Sequence, residues 1–139
     1  MQNHEFLEQV QRRTNLNSSG EVQTLVRATL ETFADHLAGN APAKLAAQLP
    51  LEIAEFITQH KSDPNAEGEG FGTEEFVRRT AERIGLTDLE IARSQITTVL
   101  AVVREAISEG EWEKLSKTFP AEYSSLFEAE QSDVLSARK

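Results

Sequence analysis

Hydrophobic residues recur at spacings of three and four along two long stretches of the chain, residues 22–37 and 92–107. This spacing places them on one face of an α-helix, because successive helical residues are rotated by about 100°. The stripe of the first stretch consists of Val22, Leu25, Val26, Leu30, Phe33 and Leu37. The stripe of the second consists of Ala92, Ile96, Val99, Leu100, Val103 and Ile107. No stretch shows the alternation of a β-strand, so the pattern predicts an all-α protein.

Shorter amphipathic segments flank the two long helices. One short helix precedes each long helix, and its apolar positions are Phe6, Leu7 and Val10, or Phe76, Val77, Ala81 and Ile84. Two short helices follow each long helix. We expect them at about 42–48 and 50–59, and again near 111–118 and 120–127. Pro50 and Pro120 are placed at the first helical position, where a missing N–H costs nothing.

The ends of the long helices also have sequence signals. Residues Ser18–Glu21 and Thr87–Glu90 each form a capping-box pattern, in which a hydroxyl and a carboxylate satisfy free amides of the first turn. Ser18 and Thr87 are therefore the predicted N-caps, and Thr73 is the predicted N-cap of the helix that precedes the second long helix. Gly39 and Gly110 are predicted to end the long helices.

An internal repeat relates the two halves of the chain at an offset of 70 residues without gaps. Identical pairs include Phe6/Phe76, Arg13/Arg83, Leu30/Leu100, Lys44/Lys114, Leu45/Leu115 and Pro50/Pro120. Apolar positions also stay apolar where the residues differ. We therefore predict two tandem four-helix repeats, related by an approximate two-fold and packed into one helical bundle. The expected parts are a first repeat (1–59), a linker (60–72), a second repeat (73–127) and a frayed tail (128–139).

The charge balance and composition limit the possible partners. The chain carries 23 acidic and 14 basic side chains, a formal net charge of −9, whereas binding to a phosphate backbone needs a basic face. It has no cysteine, which excludes disulfides, thiolate nucleophiles and zinc–thiolate sites. The N-terminus lacks a signal-peptide pattern, and no apolar run approaches the roughly 20 residues that cross a bilayer. We therefore expect a cytoplasmic protein that binds neither nucleic acid nor membrane.

The linker contains three glycines and one proline, which favours an irregular, solvated connection. It also partly matches an EF-hand calcium loop, with Gly68 at position 6. The oxygen-bearing residues at positions 1, 3, 5, 7 and 12 are Asp63, Asn65, Glu67, Glu69 and Glu74. The match departs at position 2, which is Pro64, and at position 8, which is Gly70, and no second loop exists to pair with it. A linker is the first interpretation and a calcium site the alternative.

No combination of residues typical of catalysis is visible. His4, His36 and His60 lie far apart and lack metal-ligand spacing. Nucleotide-binding and nucleophile-elbow motifs are absent from the sequence. His36 lies on the first long helix and corresponds to Ala106 in the repeat, so the repeated scaffold does not require an imidazole there. We expect no enzymatic activity and no cofactor.

We predict structural rather than functional roles for two arginines and two aromatic residues. Arg13 and Arg83 correspond in the repeat, and we expect an ion pair or a contact with a helix C-terminus rather than an anion site. Trp112 and Tyr123 are expected in the core, with their polar tips reaching the surface.

The repeat and its punctuation resemble a known family. The segments that carry the resemblance are Phe6–Val10, Leu37–Gly39, Leu45–Glu52, Glu75–Val77, Val99–Ile107, Gly110–Trp112 and Phe119–Phe127. Together they look like the bacterial domain-of-unknown-function family 2267, over residues 5 to 127. The paired Leu-Pro-x-Glu and Phe-Pro-Ala-Glu-Tyr segments are the most specific, and Pro42, where the second unit has Trp112, is a departure. The resemblance implies an all-helical bacterial cytoplasmic protein and no particular activity.

Three functions are compatible with these observations. The first is a non-enzymatic helical protein-interaction module, because neighbouring helical units form grooves that accept an amphipathic helix or a second copy of the chain. The second is calcium binding through Asp63–Glu74. The third is small-molecule binding between the repeats, which would need a pocket with convergent polar groups.

Overall fold

A computed structural model describes residues 1–61, 63 and 65–128 of the chain, and the expected frayed tail from residue 129 onward lies outside the described residues. The α-helices are α1 (Asn3–Thr14), α2 (Ser19–His36), α3 (Ala41–Gln48), α4 (Leu51–Thr58), α5 (Thr73–Ile84), α6 (Leu89–Ala106), α7 (Glu109–Ser116) and α8 (Ser124–Phe127). A short 3-10 helix, Ala121–Tyr123, precedes α8. No β-strand occurs in these residues, so the all-α prediction is confirmed.

The long helices α2 and α6 pack against each other at the centre of the core. The six stripe residues predicted for the first long helix, five in α2 and one at its C-cap, are at most 2% exposed. The six predicted for the second, five in α6 and one at its C-cap, are at most 8% exposed. Burial of one large apolar side chain stabilises a fold by roughly 1.5–3 kcal/mol. The two predicted stripes therefore supply a large share of the hydrophobic stabilisation.

The short helices α1 and α5 cross between the two halves of the chain. Helix α1 packs against both α2 and α6, and α5 packs against both α6 and α2. The arginine near the end of each short helix pairs with a carboxylate of the opposite long helix: Arg13 with Glu105 at 2.8 Å, and Arg83 with Asp35 at 2.8 Å. Asp35 and Glu105 are themselves 70 positions apart. The halves therefore interlock through two contacts whose residues correspond at an offset of 70, while the tandem repeat and its two-fold relation stay predictions.

Two of the three predicted N-caps need correction. Ser18 caps α2 as expected, since its hydroxyl accepts a hydrogen bond from the Glu21 amide at 3.2 Å. At α6 the N-cap is Asp88, not Thr87, because one carboxylate oxygen of Asp88 accepts from two amides of the first turn. At α5 the N-cap is Gly72, and the amide of Thr73 donates instead to Glu122 at 2.8 Å.

The long helices end before the predicted glycines. Helix α2 ends at His36 and α6 at Ala106, and in each case an extended residue follows and turns its apolar side chain into the core. Gly39 then takes a left-handed conformation (φ 59°) in the turn toward α3. Gly110 lies inside α7, so its predicted role as a helix end was wrong.

Pro50 and Pro120 each lie one residue before the first helical position, as N-caps. The segment after Pro120 also differs from its counterpart α4, because it divides into the 3-10 helix and the four-residue α8. Its centre contains Ser124 and Ser125, whose hydroxyls compete for backbone groups and lower helix propensity. The Ser125 hydroxyl donates to the carbonyl of Glu122 at 2.9 Å, which illustrates this competition.

Candidate functional site

The surface groove between α3 and α7 is the candidate functional site. Its walls consist of Ala41, Lys44, Leu45 and Gln48 on the α3 side, and Glu111, Lys114, Leu115 and Thr118 on the α7 side. Each set follows the i, i+3, i+4, i+7 spacing of one helix face. Each residue of one set lies 70 positions from a residue of the other. The groove encloses about 430 Å³, within the size range of ligand sites in proteins.

The floor of the groove is apolar. Leu45 (3% exposed) and Ile107 (8% exposed) form its deepest part, and Leu115 is half-buried beside them. Ala47 lies exposed on the α3 wall. Covering such a floor with an apolar side chain releases water from both surfaces and is favourable. The groove can therefore bind an apolar group that reaches between the two helices.

The rim of the groove is cationic. Lys44 and Lys114 project from corresponding positions of the two walls, and Glu111 is the one acidic residue among the lining residues. Two lysines and one glutamate give the rim a local charge of +1, although the chain as a whole carries −9. The rim thus differs in sign from the average surface.

Two further grooves are present on the surface. One, of about 500 Å³, lies beside α7 and α8 and is lined by Trp112, over whose ring the Arg104 guanidinium sits at 5.7 Å. The other, of about 510 Å³, lies between the turn before α2 and the turn before α6, where Leu16 and Leu86 face it. Neither is bounded by two matching helix faces, so the α3–α7 groove is the stronger candidate.

A cluster of charged residues joins α2, α5 and the segment between α4 and α5. The Asp35 carboxylate accepts a hydrogen bond from Nε2 of His60 at 2.7 Å and from the guanidinium of Arg83 at 2.8 Å. The Arg79 guanidinium lies 3.6 Å from Asp35 and 3.1 Å from Glu69. We call these five residues the Asp35 cluster. Its charges are matched internally, and Glu69 ties the segment before α5 to the helices.

The expectation of ion pairs for Arg13 and Arg83 is confirmed. The guanidinium of Arg13 donates to both carboxylate oxygens of Glu105, each at 2.8 Å. The side chain of Glu105 is 46% exposed, whereas that of Asp35 is 13% exposed. Since ion pairs gain strength as they lose contact with water, we expect the Arg83 pair to be the more stabilising of the two.

Residues 66–72, which we call the strap, lie across the C-terminal end of α2. The Glu69 amide donates to the Asp35 carbonyl at 2.9 Å, and the Gly39 amide donates to the Ala66 carbonyl at 3.0 Å. Gly68 lies so close to the carbonyl of His36 that a Cβ atom at this position would be 2.2 Å from its oxygen. The segment expected as a solvated linker therefore packs tightly against the helix end.

Lys61 completes this end of α2. Its ammonium group donates to the carbonyls of Ala34 at 3.1 Å and Leu37 at 2.5 Å, and also to that of Glu67 at 3.4 Å. The last carbonyls of a helix lack partners within the helix and carry partial negative charge. Lys61 therefore satisfies them and links them to the strap.

His36 lies beneath the strap in an aromatic environment. Its ring stacks on Phe119 with a centroid distance of 4.1 Å and meets the edges of Phe71 and Tyr123, each at 5.4 Å. Both ring nitrogens are buried without a hydrogen-bond partner among the described residues. Desolvation lowers the pKa of His36, the interaction with its own backbone opposes this shift, and the charge of Lys61 adds to it. Burial thus disfavours the charged form of the imidazole, which packs against the aromatic rings.

Tyr123 is more deeply buried than expected. Trp112 is in the core at 5% exposed, and Tyr123 is 0% exposed. The prediction that the Tyr123 hydroxyl reaches the surface was therefore wrong. That hydroxyl donates to the carbonyl of Phe71 in the strap at 2.7 Å. Desolvation raises the pKa of Tyr123 well above its usual value, and the charge of Glu122 adds to this effect. The physical reason for the deep burial is that aromatic rings surround the Tyr123 ring and a strap carbonyl satisfies its hydroxyl.

Two of the proposed calcium ligands, Asp63 and Glu69, use their carboxylates in other contacts, and Glu67 makes one through its backbone. The Asp63 carboxylate accepts from the amide of Asn65 at 2.9 Å, the Glu67 carbonyl accepts from Lys61, and the Glu69 carboxylate pairs with Arg79. Pro64, at the second loop position, lies outside the described residues. Among the residues that the structure describes, no three His, Asp or Glu side chains form a group that could hold a metal ion. Calcium binding through Asp63, Asn65, Glu67, Glu69 and Glu74 stays a prediction.

Sequence reasoning did not single out Asp35 or the two rim lysines. Their signal lay in the repeat: Asp35 and Glu105 are both acidic, 70 positions apart, and face the matched arginines. Lys44 and Lys114 are an identical pair at exposed positions. Identity at an exposed position has no explanation in core packing, so it is a usable pointer to a shared surface.

Comparison with known proteins gives a family. Within the described part of the chain, no helix has both the length and the apolar character to cross a membrane. A search of curated proteins finds no match to this chain. The model of the family described as "Uncharacterized conserved protein (DUF2267)" matches residues 3–126, nearly the whole chain. This match agrees with the resemblance noted in the sequence, and the chain belongs to the DUF2267 family.

Proposed function

We propose that the chain is a non-enzymatic protein-interaction module whose α3–α7 groove takes up the apolar face of an amphipathic helix. The observation that carries this proposal is the groove itself, with its two matching helix faces and an apolar floor. Helix-in-groove recognition uses apolar anchors at i, i+3 or i+4, and i+7 that fit a hydrophobic channel. The groove offers such a channel on the surface of the bundle.

The dimensions of the groove fit this kind of partner. Each wall runs from position i to i+7 of its helix face, which corresponds to about 10 Å at 1.5 Å per residue. Two turns of a partner helix cover the same length and present three apolar anchors along it. A volume of about 430 Å³ accommodates a few such side chains rather than a whole helix. The partner helix would lie on the groove and insert its anchors.

Two titratable groups near the strap have roles within the fold, which supports the non-enzymatic part of the proposal. The carboxylate of Asp35 is engaged by His60 and Arg83, and the imidazole of His36 is enclosed by aromatic rings. General acid–base chemistry needs a titratable group that can reach a substrate. These groups instead hold the strap and the helix ends.

The test is a selection from a displayed library of two- to five-turn helical peptides with randomised surface positions. The wild-type protein is the target, and the dissociation constant of each selected peptide is then measured by fluorescence anisotropy. Ala47→Trp fills the groove from an exposed wall position. Gln23→Trp, at an exposed position of α2 outside the groove, is the matched control. We expect Ala47→Trp to weaken binding at least tenfold, about 1.4 kcal/mol, and Gln23→Trp to leave it unchanged.

Two results would contradict the proposal. If no selected peptide loses affinity through Ala47→Trp, the groove is not the binding surface. If light scattering shows a dimer that Ala47→Trp dissociates, the groove takes a second copy of the chain instead of a separate partner helix. Thermal melts of both tryptophan variants establish that each is folded before binding is compared.

A further inference from the structure

We infer that the helix taken up by the groove is acidic, with carboxylates on both flanks of its apolar face opposite Lys44 and Lys114. This inference rests on the proposed function and adds the chemical class of the partner. A single lysine beside an apolar floor would favour an acidic residue on one flank. The corresponding lysines on the two walls extend that preference to both.

Both rim lysines are available to a partner. No carboxylate of the described residues lies within 4.0 Å of the Lys44 ammonium group. The ammonium of Lys114 lies 3.9 Å from Glu111, and its side chain is 80% exposed. A pair of this kind is weak, because the distance is at the limit for an ion pair and the lysine stays exposed to water. A carboxylate from a bound helix can therefore pair with either lysine without displacing a strong internal contact.

The local charge disfavours a basic partner and favours an acidic one. The rim carries +1, so a basic helix would place like charges next to Lys44 and Lys114. The net charge of −9 repels an acidic helix at long range. At physiological salt, charges further apart than about 8 Å are largely screened, whereas contacts at the rim are shorter than that. The attraction at the rim therefore outweighs the repulsion from the rest of the surface.

The first measurement is the composition of the peptides selected in the library experiment. We expect Asp and Glu to be enriched at the positions that flank the apolar face, relative to the unselected library. One selected peptide is then made in three forms whose flanking residues are all Glu, all Gln or all Lys. At about 150 mM salt we expect the Glu form to bind about tenfold more tightly than the Lys form, since two rim charges act together.

A charge-reversed rim provides the decisive comparison. Lys44→Glu with Lys114→Glu should reverse the preference, so that the Lys form binds more tightly than the Glu form. Arg12→Glu with Lys117→Glu changes the net charge equally at exposed positions outside the groove and should leave the preference as it is in the wild type. If the reversed rim does not fold, Lys44→Gln with Lys114→Gln should abolish the preference without reversing it.

The failure of this inference can be told from the failure of the proposed function. If the Gln form binds as tightly as the Glu form, and Ala47→Trp weakens both, the groove is a helix site without charge preference and the inference is overturned. If Ala47→Trp weakens none of the forms, the proposed function itself fails. A preference that the Arg12/Lys117 variant also reverses would assign the effect to net charge and likewise overturn the inference.

Discussion

Gly68→Ala tests whether the strap is an integral part of the fold. The Cβ atom of alanine would lie 2.2 Å from the His36 carbonyl oxygen and 3.1 Å from the carbonyl carbon of Leu37. Both neighbours are backbone atoms at the end of α2, which cannot rotate away as a flexible side chain would. The strap must therefore move by about 1 Å to reach ordinary van der Waals separation.

The cost of this displacement follows from the hydrogen bonds that it breaks. The Glu69 amide to Asp35 carbonyl bond is 2.9 Å and the Gly39 amide to Ala66 carbonyl bond is 3.0 Å. Lengthening either by about 1 Å takes it beyond hydrogen-bonding range. Each such bond contributes about 0.5–1.5 kcal/mol, so Gly68→Ala should lower the free energy of unfolding by about 1–3 kcal/mol.

Gly70→Ala is the matched control in the same segment. A Cβ atom at Gly70 meets no atom within 4 Å, so this variant keeps every contact. It should leave stability unchanged or raise it by up to about 1 kcal/mol, because alanine reduces the entropy of the unfolded chain. Urea denaturation followed by the fluorescence of Trp112, the single tryptophan, measures both variants. Amide hydrogen exchange at Gly39 and Glu69 reports on the strap itself.

The two variants together can refute the reasoning. Equal unfolding free energies for Gly68→Ala and Gly70→Ala would mean that the close approach of the strap does not stabilise the protein. Unchanged exchange at the Gly39 and Glu69 amides in Gly68→Ala would show that the strap had not moved. Faster exchange with no change in global stability would restrict the contact to a local opening.

Four further substitutions test the contacts around the strap and the helix crossings. Tyr123→Phe keeps the ring but removes the hydrogen bond to the Phe71 carbonyl, and should lower the unfolding free energy by about 1 kcal/mol in urea denaturation. Arg83→Met should lower the unfolding free energy by about 1–2 kcal/mol and Arg13→Met by less than about 1 kcal/mol, because the first variant removes an ion-pair partner from a largely buried carboxylate. Equal losses would contradict this. His36 has a lowered pKa in the folded state, so its stability contribution is complete above about pH 6.5 and declines below that. His36→Phe should remove this part of the decline in melts from pH 7.5 to about 5.5, and identical pH profiles would refute the assignment.

The long helices could be predicted because their signal is redundant. Each apolar stripe extends over more than four turns, and every stripe residue is buried in the structure. The helix ends were less predictable, because the N-cap is whichever of two neighbouring residues, both able to cap the helix, adopts the extended conformation. Thr87 and Asp88 can both cap a helix, and the carboxylate of Asp88 succeeds by accepting two amides. Periodicity contains no information about that choice.

The site could not be predicted because its parts come from different elements. The groove exists because α3 and α7 approach each other with matching faces, and no pattern within either helix gives their separation. The contact between the strap and α2 was equally hard to predict from a local sequence pattern. Glycines such as Gly68 favour an irregular linker in sequence, yet here glycine is needed for close backbone contact with His36. Composition reveals where a chain is flexible when unfolded, not where it packs when folded.

The two crossings between a long helix and a helix of the other half differ in polarity. The hydroxyls of Thr32 and Thr80 are hydrogen-bonded to each other at 2.9 Å beside Arg83, and both residues are buried. The corresponding residues, 70 positions away, are Val102 and Val10, which are buried without any polar group. The polar network therefore lies at the crossing of α2 and α5, and the corresponding positions at the crossing of α1 and α6 are apolar.

The groove shows the opposite relation between the halves. Its walls carry the same residues at two corresponding pairs, Lys44 with Lys114 and Leu45 with Leu115. Core packing can account for the leucines, which form the floor, but the lysines are exposed and bind nothing in the core. Charged surface residues repeated on two facing walls are explained if both walls contact one ligand. This is the physical reason to look for the partner of the protein in the α3–α7 groove rather than at the Asp35 cluster.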